Sequence, residues 1–285
     1  MPRRGPGPEA FPALAVPDVP ASPPLAEELT TARRLALAAG EILIRHRTAG
    51  IRPGKKLGGE IVTVADLDAD RLIRQGLAAT FPKDAILSEE AEDDPRRART
   101  ERTWIVDPID GTQDYALGGD EHAISIGLCF GGRPVLGVVH NPFRRELFAG
   151  TVEGLLTLGA DHVRVTDVRR VADARLTVSP TEWSAGVYAR ARSLPIRPVS
   201  SSAYKLARVA AGLDDGTFWI WPRKQWDVCA GVALVLAGGG VVSLLDGSAI
   251  AFDRREVQLG GGVVAAGAPL HALLQRELAA LGFVP

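Results

Sequence analysis

Leu25, Leu29, Ala32, Leu35, Ala36, Ala39, Ile42 and Leu43 recur at the spacing of one helix face. With Ser22 and Pro23 as start signals and Gly50 as a stop, they predict a long first helix. The segment K-K-L-G-G-E-I-V-T-V-A-D, from Lys55, predicts a strand or hairpin leading into a second helix over 67–80. Leu72, Ile73 and Leu77 turn inward there, and Phe81-Pro82 stops it. Short apolar runs then replace helical spacing. Residues 85–87 form a strand that delivers Ser88, Glu89 and Glu90, and residues 104–106 form another. Runs at 123–130 and 134–140 flank Gly131-Gly132-Arg133 as a hairpin, and 147–149 and 155–158 continue an antiparallel sheet.

From about Asp161 the rhythm alternates. Strands are predicted over 176–178, 196–199, 217–221 and 241–245, with helices over 181–190, 203–211, 227–237 and 270–281; Gly212 and glycines 238–240 act as stops. The glycines at 260–262 lack the Lys-Ser/Thr of a phosphate-binding loop and predict a turn. Residues 1–21 carry Pro2, Pro6, Pro8, Pro12, Pro17 and Pro20 among small residues and predict a disordered arm. The run E-D-D-P-R-R-A-R-T-E-R at 92–102 predicts a mobile, solvated loop. The expected organisation is this arm, an α+β half over 22–160 and an α/β half over 161–285. The expected fold class is a layered α/β sandwich with a site in the crevice between the halves.

Composition narrows the function classes. A chain of 285 residues that is 46% hydrophobic can bury one large core or two smaller ones. A net charge of -1 provides no global field for a nucleic acid polymer or an anionic membrane, so phosphate attraction has to be local. Cys129 and Cys229 sit inside apolar runs and read as buried thiols. No apolar run approaches the roughly 20 residues of a membrane span. Prolines interrupt every candidate signal-peptide core, so a cytoplasmic protein is expected.

The chemistry concentrates in T-W-I-V-D-P-I-D-G-T-Q-D-Y-A at 103–116. Asp107 and Asp110 stand either side of Pro108, which is expected to end the strand and hold both acids at one corner. Gly111 and Thr112 open a short helix whose free amides suit an anion. Carboxylates beside an anion site need cations between them, which points to Mg2+. Read alone, D-P-x-D-G is also good turn chemistry. It lacks the spacing and closing Glu of an EF-hand, and it has one residue more than the D-x-D-G-T of haloacid dehalogenase-type phosphatases, whose first Asp is a covalent nucleophile. Four further pieces have plain structural readings of their own. Glu89-Glu90 is an exposed strand end, Thr63-x-x-Asp66 a capping box, Trp226-Asp227 a helix start, and Lys205, Arg223 and Lys224 solvated surface.

In this order the pieces resemble the inositol monophosphatase family of Mg2+-dependent phosphatases. W-I-V-D-P-I-D-G-T at 104–112, W-D-V-C-A-G at 226–231 and L-S-E-E at 87–90 carry the resemblance, which runs from about Lys55 to the last helix. It implies that Glu89, Asp107 and the carbonyl of Ile109 hold a first Mg2+, that Asp107, Asp110 and Asp227 hold a second, and that a third sits near Glu89 through waters. It also implies that Asp66 and Thr112 orient and deprotonate the attacking water, that Lys55 stands near Asp66, and that Glu89, Gly111, Thr112 and Asp227 border the substrate. Hydrolysis would proceed by metal-activated water without a phosphoenzyme, and Li+ would inhibit. Dimers are common in relatives, so a homodimer is a further expectation. Four carboxylates within about 5 Å would repel pairwise by roughly 3 kcal/mol at an effective dielectric of 20, which cations relieve. The donors are all oxygen, and none of the five histidines has a partner at metal-ligand spacing, which favours Mg2+ over Zn2+.

The substrate is less legible. The position of an inositol-contacting acid in inositol monophosphatases, seven before the last metal Asp, is Ile220 here. L-S-E-E, Gln113-Asp114-Tyr115 and Ser201-Ser202 with Lys205 look more like the bacterial 3'(2'),5'-bisphosphate nucleotidases. There Lys205 and Arg223 would meet a second phosphate. The segment between Pro222 and Trp226 is shorter than in those enzymes, and Gln225 replaces their acid. The nucleotidase reading is preferred, with inositol-1-phosphate, fructose-1,6-bisphosphate and histidinol phosphate open within the family. A metal-binding interaction protein that has lost catalysis is the alternative of another class. Its expected mark, substitution within Asp66, Thr112, Glu89, Asp107, Asp110 or Asp227, is absent.

Overall fold

The computed structural model describes residues 25–51, 53–55, 61–252 and 255–284. The expected arm over 1–21, the Ser22-Pro23 start and the Lys55 side chain lie outside the described residues.

Helix α1 (Ala26–Ala49) buries the apolar stripe of Ala32, Leu35, Ala36, Ala39, Ile42 and Leu43. Strands β1 (Pro53–Lys55) and β2 (Ile61–Thr63) pair as an antiparallel hairpin. Helix α2 (Val64–Thr80) starts at Val64 rather than at 67, because Thr63 and Asp66 close its N-terminus as a reciprocal capping box. After β3 (Ala85–Ser88) the charged run is not a loose loop. It winds into a 3-10 turn over Pro95–Ala98, capped by Asp94 and laced by Asp94–Arg96 and Asp93–Arg97 pairs at 2.8 Å.

Strand β4 (Arg102–Asp110) and the short helix α3 (Thr112–Ala116) are followed by β5 (Ala123–Phe130), β6 (Arg133–Asn141), β7 (Glu146–Thr151), β8 (Leu156–Leu158) and β9 (Asp161–His162). Together β3 to β9 form a seven-stranded sheet in sequence order, parallel only between β3 and β4. Pro108 does not end β4 as expected. The ladder passes from Asp107 opposite Ser125 to Asp110 opposite Ala123, so the strand spends one extra residue. A proline without an N–H is tolerated in such a bulge, and the bend re-aims the two acids.

The second half comprises β10 (Leu176–Val178), α4 (Pro180–Ser184), β11 (Ile196–Pro198), α5 (Ser202–Ala210), β12 (Gly216–Trp219), α6 (Gln225–Ala237), β13 (Gly240–Leu244), β14 (Val263–Gly267) and α7 (Ala268–Ala280). The sheet order is β11-β10-β12-β14-β13. The first three strands are parallel, and β14 is antiparallel to both of its neighbours. The half is therefore a mixed sheet rather than a strict strand–helix alternation. Two expectations fail here. The helix over 181–190 is α4 plus a 3-10 turn over Val187–Ala191, broken where Gly186 takes a φ of 75°. The unanticipated β14 occupies a central place in the sheet although V-V-A-A-G carries little β-branched or aromatic signal beyond its two valines.

Five layers result, α-β-α-β-α. Trp104, Val106, Ile124, Ile126 and Val138 face α1 and α2 on one side of the large sheet. Alternate residues such as Ile105, Val139 and Phe148 face α5 and α6 on the other side. Those two helices also cover the second sheet through Leu206, Val228 and Leu234 against Trp219, Val263 and Ala265. Leu270, Leu274 and Leu278 of α7 close its outer face. Burial on both faces explains why β4 and β5 read as continuous apolar runs. Cys129 of β5 and Cys229 of α6 are buried thiols, not joined as a disulfide, with sulfurs 3.4 Å apart. Among the described residues no helix is long and apolar enough to cross a membrane.

The approach of α6 to the large sheet depends on Gly137, where an added Cβ would lie 2.2 Å from the carbonyl oxygen of Ala230. Gly137→Ala is expected to destabilise the protein by about 1–3 kcal/mol, because backbone must shift to make room. Thermal unfolding followed by circular dichroism checks this, and an unchanged midpoint would contradict the packing of α6 on β6.

Candidate active site

The acids converge at one end of the parallel pair β3–β4. Ser88 is in register with Val106, and the Glu89 amide donates to the Val106 carbonyl at 3.2 Å, so Glu89 leaves its strand where Asp107 sits on the next. Asp107 accepts from the amide of Ile109 at 2.9 Å, which fixes the carboxylate across the bulge. Asp227 arrives from the other half as the third residue of α6, where it accepts from the Lys224 amide at 3.0 Å. One carboxylate oxygen from each of Asp107, Asp110 and Asp227 lies within 4.8 Å of the others.

Electrostatics make this grouping costly without a counter-ion. Burial pushes Asp107 and Asp227 well above the usual carboxylate range; facing charges then add to the shift, led by Glu89 for Asp107 and by Asp110 for Asp227. Burial raises Asp110 as well, although Ser201, the Ala203 amide and Lys205 oppose the shift. At 4.8 Å and an effective dielectric of 20, each ionised pair repels by about 3 kcal/mol. An all-oxygen, multiply acidic and largely buried donor set fits a hard divalent cation and does not suit a soft one.

Beside the cluster, Asp66 is fixed by α2. One oxygen accepts from the Thr63 amide at 2.7 Å and hydroxyl at 2.6 Å, and the other accepts from the Thr112 hydroxyl at 3.1 Å. Burial raises the Asp66 pKa in spite of those bonds. Thr112 also lies 2.9 Å from the Ile109 carbonyl, so its single hydroxyl proton chooses between two acceptors. Gly111, with a φ of 95°, makes the turn that delivers Thr112, and an added Cβ there would press on His122 at 3.2 Å.

The second half holds Asp110 in place, a role the sequence did not reveal. The Ser201 hydroxyl and the Ala203 amide both donate to one Asp110 oxygen at 2.6 Å. Ser201 is also the N-cap of α5, so its hydroxyl reads simply as a cap until the fold sets Asp110 against it. The backbone of Ser200 and Ser201 is tied in turn to Glu121 at 3.2 and 3.0 Å.

One expected substrate contact is turned inward. Lys205 does not face a ligand: it is 0% exposed, and its ammonium donates to the carbonyls of Val199 at 2.9 Å and Ser200 at 3.1 Å. Burial draws its pKa down to about 7. Tyr115 of the Gln113-Asp114-Tyr115 segment is buried and donates to the Leu43 carbonyl at 2.8 Å, while Asp114 accepts from the Glu121 amide at 2.8 Å. Arg223 donates to the Ser202 hydroxyl at 3.4 Å, next to the residues that hold Asp110, and its positive charge opposes the rise of Asp227. Its guanidinium meets the buried Glu182 at 3.1 Å. Glu182 escapes sequence reading because S-P-T-E at 179–182 has the spacing of a capping box.

A model of the inositol monophosphatase family matches residues 25–281. The inositol-1-monophosphatase of Synechocystis sp. is 30% identical to this chain over 240 residues, 79% of either chain. The 3'-phosphoadenosine 5'-phosphate phosphatase of Mycobacterium bovis is 33% identical over 202 residues, 68% of this chain and 73% of that one. Among solved structures, the extragenic suppressor protein suhB from Bartonella henselae matches with a TM-score of 0.79 at 28% identity, covering 89% of this chain and 98% of that one.

Proposed function

The chain belongs to the inositol monophosphatase family, and on that premise we propose that it is a Mg2+-dependent phosphomonoesterase whose preferred substrate is a 3'(2'),5'-bisphosphate nucleotide, 3'-phosphoadenosine 5'-phosphate being converted to AMP. The phosphatase reading rests on the meeting of Asp107, Asp110 and Asp227 within 4.8 Å. Glu89, Asp107 and the Ile109 carbonyl are proposed to hold one Mg2+, with Asp107, Asp110 and Asp227 around a second and a third held more loosely by Glu89. Bound Mg2+ would supply Lewis-acid stabilisation of the phosphoryl and leaving oxygens and acidify a water.

The protein's own groups do the rest. Asp66, with one oxygen locked by Thr63, accepts the nucleophile's proton on the oxygen that faces Thr112, and the Thr112 hydroxyl orients that nucleophile. The amides of Gly111 and Thr112 receive a phosphoryl oxygen. Water attacks phosphorus directly, so no aspartyl phosphate forms on Asp107.

The nucleotide reading is carried by Arg223. Its guanidinium donates to the Ser202 hydroxyl at 3.4 Å, between Ser201 and Ala203, the residues that hold Asp110, and its charge acts on Asp227. A fixed cation there suits a second phosphate, which inositol-1-phosphate lacks, and Ile220 stands where an inositol-contacting acid would be. Lys205 acts beneath this surface by holding the 199–200 backbone. The inositol phosphatase alternative is favoured by the Synechocystis relative, which covers more of the chain than the Mycobacterium one.

Phosphate release with Mg2+ from 3'-phosphoadenosine 5'-phosphate, inositol-1-phosphate, fructose-1,6-bisphosphate and histidinol phosphate tests the proposal. The first is expected to lead in kcat/KM by about tenfold, the worth of one charge-assisted hydrogen bond. Inositol-1-phosphate leading by that factor would overturn the substrate assignment and leave the phosphatase reading in place.

A further inference from the structure

Arg223 has few neighbours that could hold its direction, and the decisive one is Glu182. This residue comes from α4 and is 0% exposed. One of its oxygens accepts from the Ile220 amide at 2.9 Å and from the Tyr188 hydroxyl; the other accepts from the Trp221 amide at 3.0 Å and from Arg223 at 3.1 Å. A single carboxylate thus gathers both backbone amides of the segment that ends β12 and the guanidinium two residues later. Such a carboxylate is expensive to bury and is retained only when all its acceptor sites are used.

The segment it gathers enters the active site. Arg223 leads directly into α6, which carries Asp227, and its Nε points at Ser202 at 3.4 Å, between Ser201 and Ala203, the two residues that hold Asp110. Three of the guanidinium contacts, to Ser202 and to the Trp221 and Pro222 carbonyls, are 3.3 Å or longer and therefore weak. Only the bond to Glu182 is a short, charge-assisted one. Arg223 is 19% exposed, so part of the fork reaches the surface beside the cluster.

We infer that Glu182 is a positioning residue for substrate specificity, holding Arg223 from below so that its outer edge receives a second anionic group of the substrate. The inference rests on the nucleotide reading above and names the part of the fold that gives it selectivity. The Arg223 backbone is held independently, its carbonyl accepting from the Leu259 amide at 2.8 Å, but without Glu182 the guanidinium would keep only its long contacts and the Trp219 ring 5.9 Å away; with Glu182 it presents donors in one direction.

The test compares 3'-phosphoadenosine 5'-phosphate with 3'-AMP, which keeps the scissile phosphate and lacks the second. Glu182→Gln is expected to cut the preference for the bisphosphate by about tenfold, with the loss carried by KM. Arg223→Gln is expected to cut the preference by the same factor, and adding Glu182→Gln to it should bring no further loss, because Glu182 acts through Arg223. Equal losses on both substrates, or multiplicative losses in the double variant, would overturn the inference, since a merely structural Glu182 would lower both activities alike. Should Glu182→Gln fail to fold, Arg223→Lys decides. It keeps the charge but not the fork, and retention of full preference would refute the positioning role. A wild type that hydrolyses both nucleotides equally well sinks the inference while leaving the phosphatase reading intact. A wild type that cleaves neither but cleaves inositol-1-phosphate sinks the nucleotide reading and this inference together.

Discussion

Asp110→Asn is expected to lower kcat by about a thousandfold or more, the loss of several kcal/mol of cation-borne stabilisation, while making the metal-free protein more stable than the wild type. The two effects have one cause. Asp110 lies in a buried set whose oxygens approach within 4.8 Å, and its negative charge is unfavourable there until a cation arrives. The amide oxygen of Asn can still accept from Ser201 and the Ala203 amide, so the tie to α5 survives. Removing one charge relieves repulsions of about 3 kcal/mol per fully ionised pair, an upper bound because partial protonation already softens them. Even 1 kcal/mol would raise the melting temperature by roughly 2–4 °C in a chain of this size. Thermal melts in chelator and in Mg2+, beside phosphate-release rates, check both halves. Full Mg2+-dependent turnover, or a lower melting temperature without metal, would mean that Asp110 has been given the wrong role.

The second large effect is a dependence of Mg2+ stabilisation on pH. Asp107, Asp110 and Asp227 have folded-state pKa values above the ordinary 3.8. A group raised on folding contributes stability that is fully present below its unfolded value and is lost as pH rises through the folded one. The metal-free protein therefore loses this contribution upward from pH 3.8. Other groups have the opposite sign: burial lowers His122, His140 and His271, and it draws Lys205 down to about 7. The histidine contributions are the same with and without Mg2+ and cancel in the difference between the two melts, whereas Lys205, whose charge acts on Asp110, gives up its proton more readily once a cation is held there and so strengthens the same trend. The carboxylates exchange their protons for the cation. The stabilisation by Mg2+ is thus expected to be smaller at pH 5 than at pH 8, where it should reach about 2.7 kcal/mol with Mg2+ at a hundred times its dissociation constant. Calorimetry at the two pH values reads it. An equal or larger increment at pH 5 would show that the acids do not hold the ion.

Legibility in the sequence followed the range of the interactions involved. The stripe of α1, the reciprocal cap of Thr63 and Asp66 and the apolar run of β4 are set by neighbours a few residues apart, so a linear pattern exposes them. Boundaries moved where a cap or a bulge decided them, as at Val64 and Pro108. Strand β14 was missed because its place depends on β12 and β13 on either side of it rather than on its own five residues.

Within the site the same division holds. The acids at 89, 107, 110 and 227 stand out by residue type and spacing, and their strand-end and helix-start positions are local facts. Ser201 and Glu182 were overlooked because the partner of each lies far away in the chain, and Lys205 was misread because tertiary packing buries it, although its carbonyl partners are only five and six residues before it. Lys205 is buried among carbonyls, Ser201 meets an acid 91 residues earlier, and Glu182 meets an arginine 41 residues later. By itself, then, the order of residues determined most of the elements and the presence of an acid set suited to a cation. The tertiary structure alone decided which polar groups lose their water and which partner replaces it, because desolvation and long-range hydrogen bonds have no period along the chain.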